Sequence, residues 1–162
     1  MAWLWIIFGL LVIVGSLSWL MPSPRERREA HARQEAMRLG LKIRMLSLDA
    51  WAKERMPMTQ LAQYARYTDM GLPLFALWRV ADREMPWTAP PGNDGWRLFD
   101  KGLSELLTEL PEQIVAVGAD SGRVWVGFDD GAVDAPSLEV VSERLQVLQQ
   151  WLERYQPVKA SS

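Results

Sequence analysis

The chain has 162 residues, of which 49% are hydrophobic, with a formal net charge of -2, one histidine and no cysteine. Without cysteine, and with one isolated histidine, the sequence excludes zinc ribbons, iron–sulfur ligation, thiol redox motifs and histidine-dependent serine or cysteine triads. Residues 1–56 carry nine basic and five acidic side chains, a net of +4, and residues 57–162 carry nine and fifteen, a net of -6, which does not favour nucleic acid as a partner of the distal part.

The first predicted element is an uncharged stretch over residues 2–21, AWLWIIFGLLVIVGSLSWLM. Twenty helical residues span about 30 Å, the thickness of the hydrocarbon layer of a bilayer, so the stretch predicts a transmembrane helix. A cleaved signal peptide is the alternative, but it requires a charged start and a small-x-small cleavage site. Trp3, Trp5 and Trp19 lie near the two ends, where indole rings anchor at the membrane interface.

Residues 22–40 predict a basic juxtamembrane helix that ends at Gly40, with Glu29 and Arg33 spaced as a helical ion pair. The basic residues beside the predicted span place the N-terminus outside and the remaining chain in the cytoplasm. Candidate contacts to anionic lipid headgroups are the four arginines of the first turns: Arg25, Arg27, Arg28 and Arg33.

The next part, residues 41–156, predicts one cytoplasmic α+β domain. Alternation over residues 41–46 predicts a first strand. Residues 61–69 fit a helix or a strand, and their aromatic residues favour the strand. A third strand is predicted over residues 74–80, followed by a long loop rich in proline and glycine over residues 82–95.

The last third of the chain gives the clearest patterns. After a possible short strand over residues 96–99, leucines spaced at i, i+3, i+4 and i+7 from Leu103 predict a helix, with Asp100 as its candidate cap and Pro111 as its end. Two apolar runs, residues 114–118 and 123–128, flank turn residues and predict a hairpin. A long apolar stripe predicts a helix over residues 137–155, with a flexible tail over residues 157–162.

Together these elements predict an α+β fold: one N-terminal transmembrane helix and a basic juxtamembrane helix, followed by a small antiparallel-sheet domain with a C-terminal amphipathic helix. The stripe of the last helix approximates a heptad, so a homo-oligomer is possible, although packing on the sheet is favoured.

Acidic clusters are the only candidate chemistry that remains. Asp129 and Asp130, with Asp134 beyond them and Asp120 at the other end of the hairpin, offer oxygen ligands for a hard cation. The segment lacks the alternating ligands of a calcium loop, so ordinary turns are favoured. The sequence therefore predicts no cofactor, no metal and no catalytic residue.

Met85 and Trp87 lie in the proline-rich loop and are the candidate partner contacts. Exposed methionine and tryptophan are typical of interfaces. An equally good interpretation is that Trp87 packs this loop over its own core.

The run Met21-Pro22-Ser23-Pro24-Arg25-Glu26-Arg27-Arg28-Glu29, directly after a short apolar segment, resembles the start of the small single-span accessory subunit of the bacterial preprotein translocase. The layout of the whole chain is similar to uncharacterised proteobacterial single-pass inner-membrane proteins. The resemblance implies a bacterial inner-membrane location. The resemblance to the translocase subunit covers about the first forty residues.

Three functions are compatible with these patterns. The first is a non-catalytic membrane-anchored interaction or assembly module that binds an unidentified protein. The second is an accessory subunit of an inner-membrane complex such as the protein-export translocase. The third is a carboxylate-based cation binder or enzyme at Asp120, Asp129 and Asp130.

Overall fold

The computed structural model describes residues 2–18, 21–48, 50–56, 61–80, 86–92 and 101–155. The helices are α1 (Ala2–Ser18), α2 (Pro24–Arg38), α3 (Ala50–Arg55), α4 (Lys101–Thr108) and α5 (Leu138–Arg154). The strands are β1 (Lys42–Leu46), β2 (Leu61–Tyr67), β3 (Phe75–Arg79), β4 (Trp87–Thr88), β5 (Ala116–Asp120) and β6 (Arg123–Phe128).

The strands form one sheet in the order β1-β2-β6-β5-β3-β4, and each neighbouring pair is antiparallel. The β5–β6 hairpin turns at Gly122, whose φ of 128° is a conformation that favours glycine. The α+β class and the antiparallel sheet therefore agree with the prediction. The choice of a strand over residues 61–69 is also confirmed, because β2 fills most of it.

The predicted transmembrane helix is wrong. Among the described residues, no helix is long and apolar enough to cross a membrane. Helix α1 has 17 residues, whereas a span needs about 20. The predicted length counted the whole uncharged run to Met21, and the described helix ends at Ser18.

One face of the sheet, here called the helix face, carries the main core under α2, α4 and α5. The apolar stripe of α5 is buried there, as its spacing predicts, through Leu138, Val141, Leu145, Leu148 and Leu152. Leu103 and Leu107 of α4 belong to the same cluster, as does Ala36 of α2. Because side chains alternate along a strand, this face takes Tyr64 from β2 and Phe128 from β6.

The opposite face, here called the open face, carries a smaller cluster under α3. The Trp125 ring lies against Gly118 of β5, where an added Cβ would contact the ring and would come within 2.6 Å of the Phe75 carbonyl oxygen. Ala52 of α3 is fully buried in this cluster. Small residues at the sheet surface thus leave room for the tryptophan and for the short helix.

Two elements were not predicted. Helix α3 falls in a part of the sequence without a clear period, and β4 is a two-residue strand inside the predicted loop. The possible strand over residues 96–99 and the flexible tail over residues 157–162 lie outside the described residues.

Candidate functional site

Helix α2 has well-defined ends. At its start, the Ser23 hydroxyl accepts from the Glu26 N–H at 3.2 Å, and the Glu26 carboxylate accepts from the Ser23 N–H at 2.6 Å. These bonds form a capping box and hold the pKa of Glu26 below its usual range. At its end, Gly40 has a φ of 71°, and the Leu41 N–H donates to the Ala36 carbonyl at 2.9 Å.

The basic side of α2 binds the loop that follows β6. The Arg25 guanidinium donates to Asp129 at 2.7 Å and to Glu29 at 2.9 Å, and Arg33 lies 3.5 Å from the same Glu29 carboxylate. The Arg28 Nε donates to the Gly131 carbonyl at 2.9 Å. We call this contact between α2 and residues 129–131 the α2 junction.

A buried carboxyl group lies at the centre of the α2 junction. The Tyr64 hydroxyl donates to Asp130 Oδ2 at 2.9 Å, and the Arg33 Nε is 4.0 Å from the same oxygen. Asp130 is 7% exposed, and Tyr64 stacks on Phe128 with 4.8 Å between ring centroids.

Burial determines the titration of both groups in this pair. It raises the pKa of Asp130, although the hydrogen bond from Tyr64 and the charge of Arg33 oppose the shift. Burial and the bond to Asp130 also raise the pKa of the Tyr64 phenol. A buried carboxyl with a raised pKa is chemically suited to proton transfer, but here it is covered by α2 and engaged by two partners, so it holds the helix to the sheet.

Gly131 lets α2 approach this closely. It is buried, and an added Cβ would lie 2.7 Å from Arg25 Cγ and 2.7 Å from Glu29 Oε1. The sequence pattern of residues 129–131 predicts only a turn, and the contact with α2 could not be predicted because about a hundred residues separate the two segments. The acidic pair Asp129 and Asp130, followed by Gly131, was the sequence feature that could have indicated a contact with a basic helix.

The four arginines predicted to contact lipid therefore differ in the groups that they bind within the protein. Arg25 and Arg33 pair with acidic side chains, and Arg28 donates to a backbone carbonyl. Arg27 is exposed and donates to the Pro22 carbonyl at 3.1 Å, and within the described ranges no ion pair joins it to an acid. Arg27 thus keeps the charge most accessible to an anionic surface.

The three aspartates of the candidate cation site do not come together. Asp120 lies at the turn end of β5, where it accepts from Arg123 Nε at 2.6 Å, while Asp129 and Asp130 follow the opposite end of β6. In the part of the chain that the structure describes, no group of three or more His, Cys, Asp or Glu side chains could hold a metal ion. Each of the three carboxylates instead has a partner in the protein.

Trp87 is buried, being 7% exposed, and Met85 lies outside the described residues. The indole N–H donates to the Leu107 carbonyl at 3.3 Å, and the Arg79 guanidinium lies over the ring at 4.6 Å. Arg79 also donates to the Leu110 and Pro111 carbonyls. This placement matches the interpretation in which Trp87 packs the loop over its own core. Trp87 donates to a carbonyl in the last turn of α4, and Arg79 donates to two carbonyls just after the helix.

Helix α1 has apolar side chains exposed on all sides. Trp3 and Trp5, two of the three predicted interface anchors, are 77% and 76% exposed, and Trp19 lies outside the described residues. The other large exposed side chains of α1 are Leu4, Ile6, Ile7, Phe8, Leu10, Leu11, Val12 and Ile13. An apolar surface of this extent needs an apolar environment or a partner.

Comparisons with protein-family models, with curated proteins and with solved structures give no match.

Proposed function

We propose that this protein is a non-catalytic interaction or assembly module that α1 attaches to a bacterial membrane. The observation that carries the proposal is the exposure of ten large apolar side chains between Trp3 and Ile13. Burying such side chains is worth about 1.5 to 3 kcal/mol each. The proposal concerns attachment and does not require α1 to cross the bilayer.

The α2 junction supports the same function. Because α2 binds the domain through Asp129, Asp130 and Gly131, the module is held at a defined place relative to the start of α2. The accessible charge of Arg27 suits an anionic leaflet, where each basic side chain contributes about 1 kcal/mol. An inner-membrane location with the domain on the cytoplasmic side is part of this proposal.

Flotation of the full chain with vesicles of mixed neutral and anionic phospholipid tests the proposal. We expect the protein to float with the vesicles and the double variant I7E/L11E to remain in the dense fraction, because two charges in an apolar phase are costly. Ile7 and Leu11 are 54% and 65% exposed, so the substitutions do not disturb a core.

The matched control is M37E/M70E, which changes two exposed apolar side chains outside α1, 70% and 50% exposed. It is expected to float like the wild type. Failure of the wild-type chain to float, or equal flotation of I7E/L11E and the wild type, would contradict membrane attachment through α1.

A further inference from the structure

Strand β1 is an edge of the described sheet, since it pairs with β2 alone. An edge strand exposes unpaired backbone N–H and C=O groups, to which an extended segment of another chain can add. The exposure of β1 fits such an edge, because Lys42, Arg44 and Met45 are exposed and Ile43 and Leu46 are only partly covered.

The two faces of β1 differ in chemistry. Lys42 and Arg44 lie on the open face, opposite Ala65 and Gln63 of β2, while Ile43 and Met45 lie on the helix face. Beside this edge, a groove of about 370 Å³ extends from β1 across β2 to β6, and its lining residues are Lys42, Ile43, Arg44, Ala65, Tyr67 and Arg123. A strand added here would therefore meet basic groups on one face and apolar groups on the other.

Among the described residues, two of the three basic side chains that line this groove have no acidic partner. Arg123 is paired with Asp120, but within the described ranges no ion pair joins Lys42 or Arg44 to an acidic side chain. Residues 41–156, which include this strand, carry twelve basic and seventeen acidic side chains, a net of -5. The groove is thus a local basic site on an acidic domain, which would direct an acidic ligand to this edge.

Two antiparallel registers of β1 with the β1 of a second copy bring like charges together. In an antiparallel pair of β1 strands centred on Arg44, each Arg44 lies opposite the other, and centring on Ile43 places Lys42 opposite Arg44. Like charges directly opposite one another destabilise a strand pair. The basic side chains therefore act against self-association and in favour of an acidic strand.

Building on the proposed function, we propose that β1 binds an extended peptide segment of a partner protein, with acidic residues at alternate positions facing Lys42 and Arg44 and apolar residues between them facing Ile43 and Met45. The segment adds to the sheet as a seventh strand through backbone hydrogen bonds. Alternate side chains of the segment contact opposite faces of the sheet, so the order of its acidic and apolar residues determines specificity.

Fluorescence anisotropy with the full chain in a neutral detergent tests this proposal. The probe is a labelled nine-residue peptide that alternates glutamate and valine, and it is compared with a block peptide of the same composition. We expect saturable binding of the alternating peptide that weakens as salt is added, and much weaker binding of the block peptide, whose charges cannot all face one side.

Two further peptides separate strand addition from charge attraction. Each is N-methylated on one of the two alternate sets of amides, and only one set can face β1. One methylated peptide should lose binding and the other should keep it. Equal behaviour of the two peptides, or binding of the block peptide as tight as that of the alternating one, would overturn the proposal.

Substitutions locate the site on the protein. K42E and R44E should each weaken binding by about three- to tenfold, because an attractive cross-strand pair becomes a repulsive one. The matched control K53E changes an exposed lysine on α3 and should bind as the wild type does. An absence of binding by the wild type, or equal effects of K42E and K53E, would overturn the proposal, while vesicle flotation reports separately on membrane attachment.

Discussion

At the scale of single residues, the structure contains a buried acid that the sequence does not distinguish from a turn residue. Asp130 is buried against Tyr64 and faced by Arg33. An unpaired carboxylate in this position would be costly, and the phenol and the guanidinium reduce that cost. The desolvation of the carboxyl still exceeds their effect, so its pKa is raised.

A raised pKa in the folded state means that the folded protein binds the proton more tightly than the unfolded chain does. The stability contributed by protonated Asp130 is therefore complete below the unfolded pKa, near 4, and is lost as the pH rises through the folded pKa. D130N is neutral at every pH and retains an oxygen that accepts from Tyr64. We expect the free energy of unfolding of D130N, relative to that of the wild type, to increase from pH 4 to pH 7.

Urea unfolding of both proteins across this range measures the effect. Groups common to both chains cancel in the difference, including Glu26 and Glu153, whose lowered pKa values give the opposite slope. If the difference in unfolding free energy between D130N and the wild type stays constant from pH 4 to pH 7, or if the wild type gains stability relative to D130N, the raised pKa of Asp130 is contradicted.

The sequence could not predict this pair. Tyr64 and Asp130 are 66 residues apart, and neither lies in a motif. Asp120, Asp129 and Asp130 could be singled out as acidic, but their partners are set by strand register and by the position of α2, which no local pattern encodes.

At the scale of elements, the local signals of α2 predicted its conformation, whereas its packing partner was not predicted. The ion pair between Glu29 and Arg33 and the left-handed Gly40 are confirmed. Helix α5 was predicted as well, because a long element with a strong apolar period can be recognised from its own sequence. In contrast, α3 and β4 are short, and contacts made by the folded sheet determine their conformation.

Gly131 tests the docking of α2 directly. In G131A the new methyl group meets Arg25 Cγ and Glu29 Oε1 at 2.7 Å each. We expect the variant to be less stable by about 1 to 3 kcal/mol, as for other overpacked sites, and to show faster amide hydrogen exchange in α2 than the wild type.

G71A is the matched control, because an added Cβ at Gly71 has no heavy atom within 4 Å. It should leave both the unfolding free energy and the exchange of α2 nearly unchanged. If G131A behaves like G71A in both measurements, the close contact between α2 and residue 131 does not contribute to stability.

At the scale of the whole molecule, the division of charge takes a different form from the one predicted. The sequence predicts a basic juxtamembrane helix on lipid and an acidic domain beyond it, but Arg25 and Arg33 bind acidic residues of the chain itself. The basic segment and the acidic domain thus form one folded unit, to which the apolar α1 is joined through residues 19–23.

The most direct test of membrane attachment uses the absence of native cysteine. A nitroxide label is placed on the full chain at residue 10 by L10C, or at residue 143 on the exposed side of α5 by E143C, and each protein is bound to anionic vesicles. Relaxation by molecular oxygen and by a water-soluble nickel complex is then measured for each label. We expect the label at residue 10 to be accessible to oxygen and shielded from nickel, and the label at residue 143 to be accessible to nickel. Equal access of nickel to both labels would contradict membrane attachment through α1.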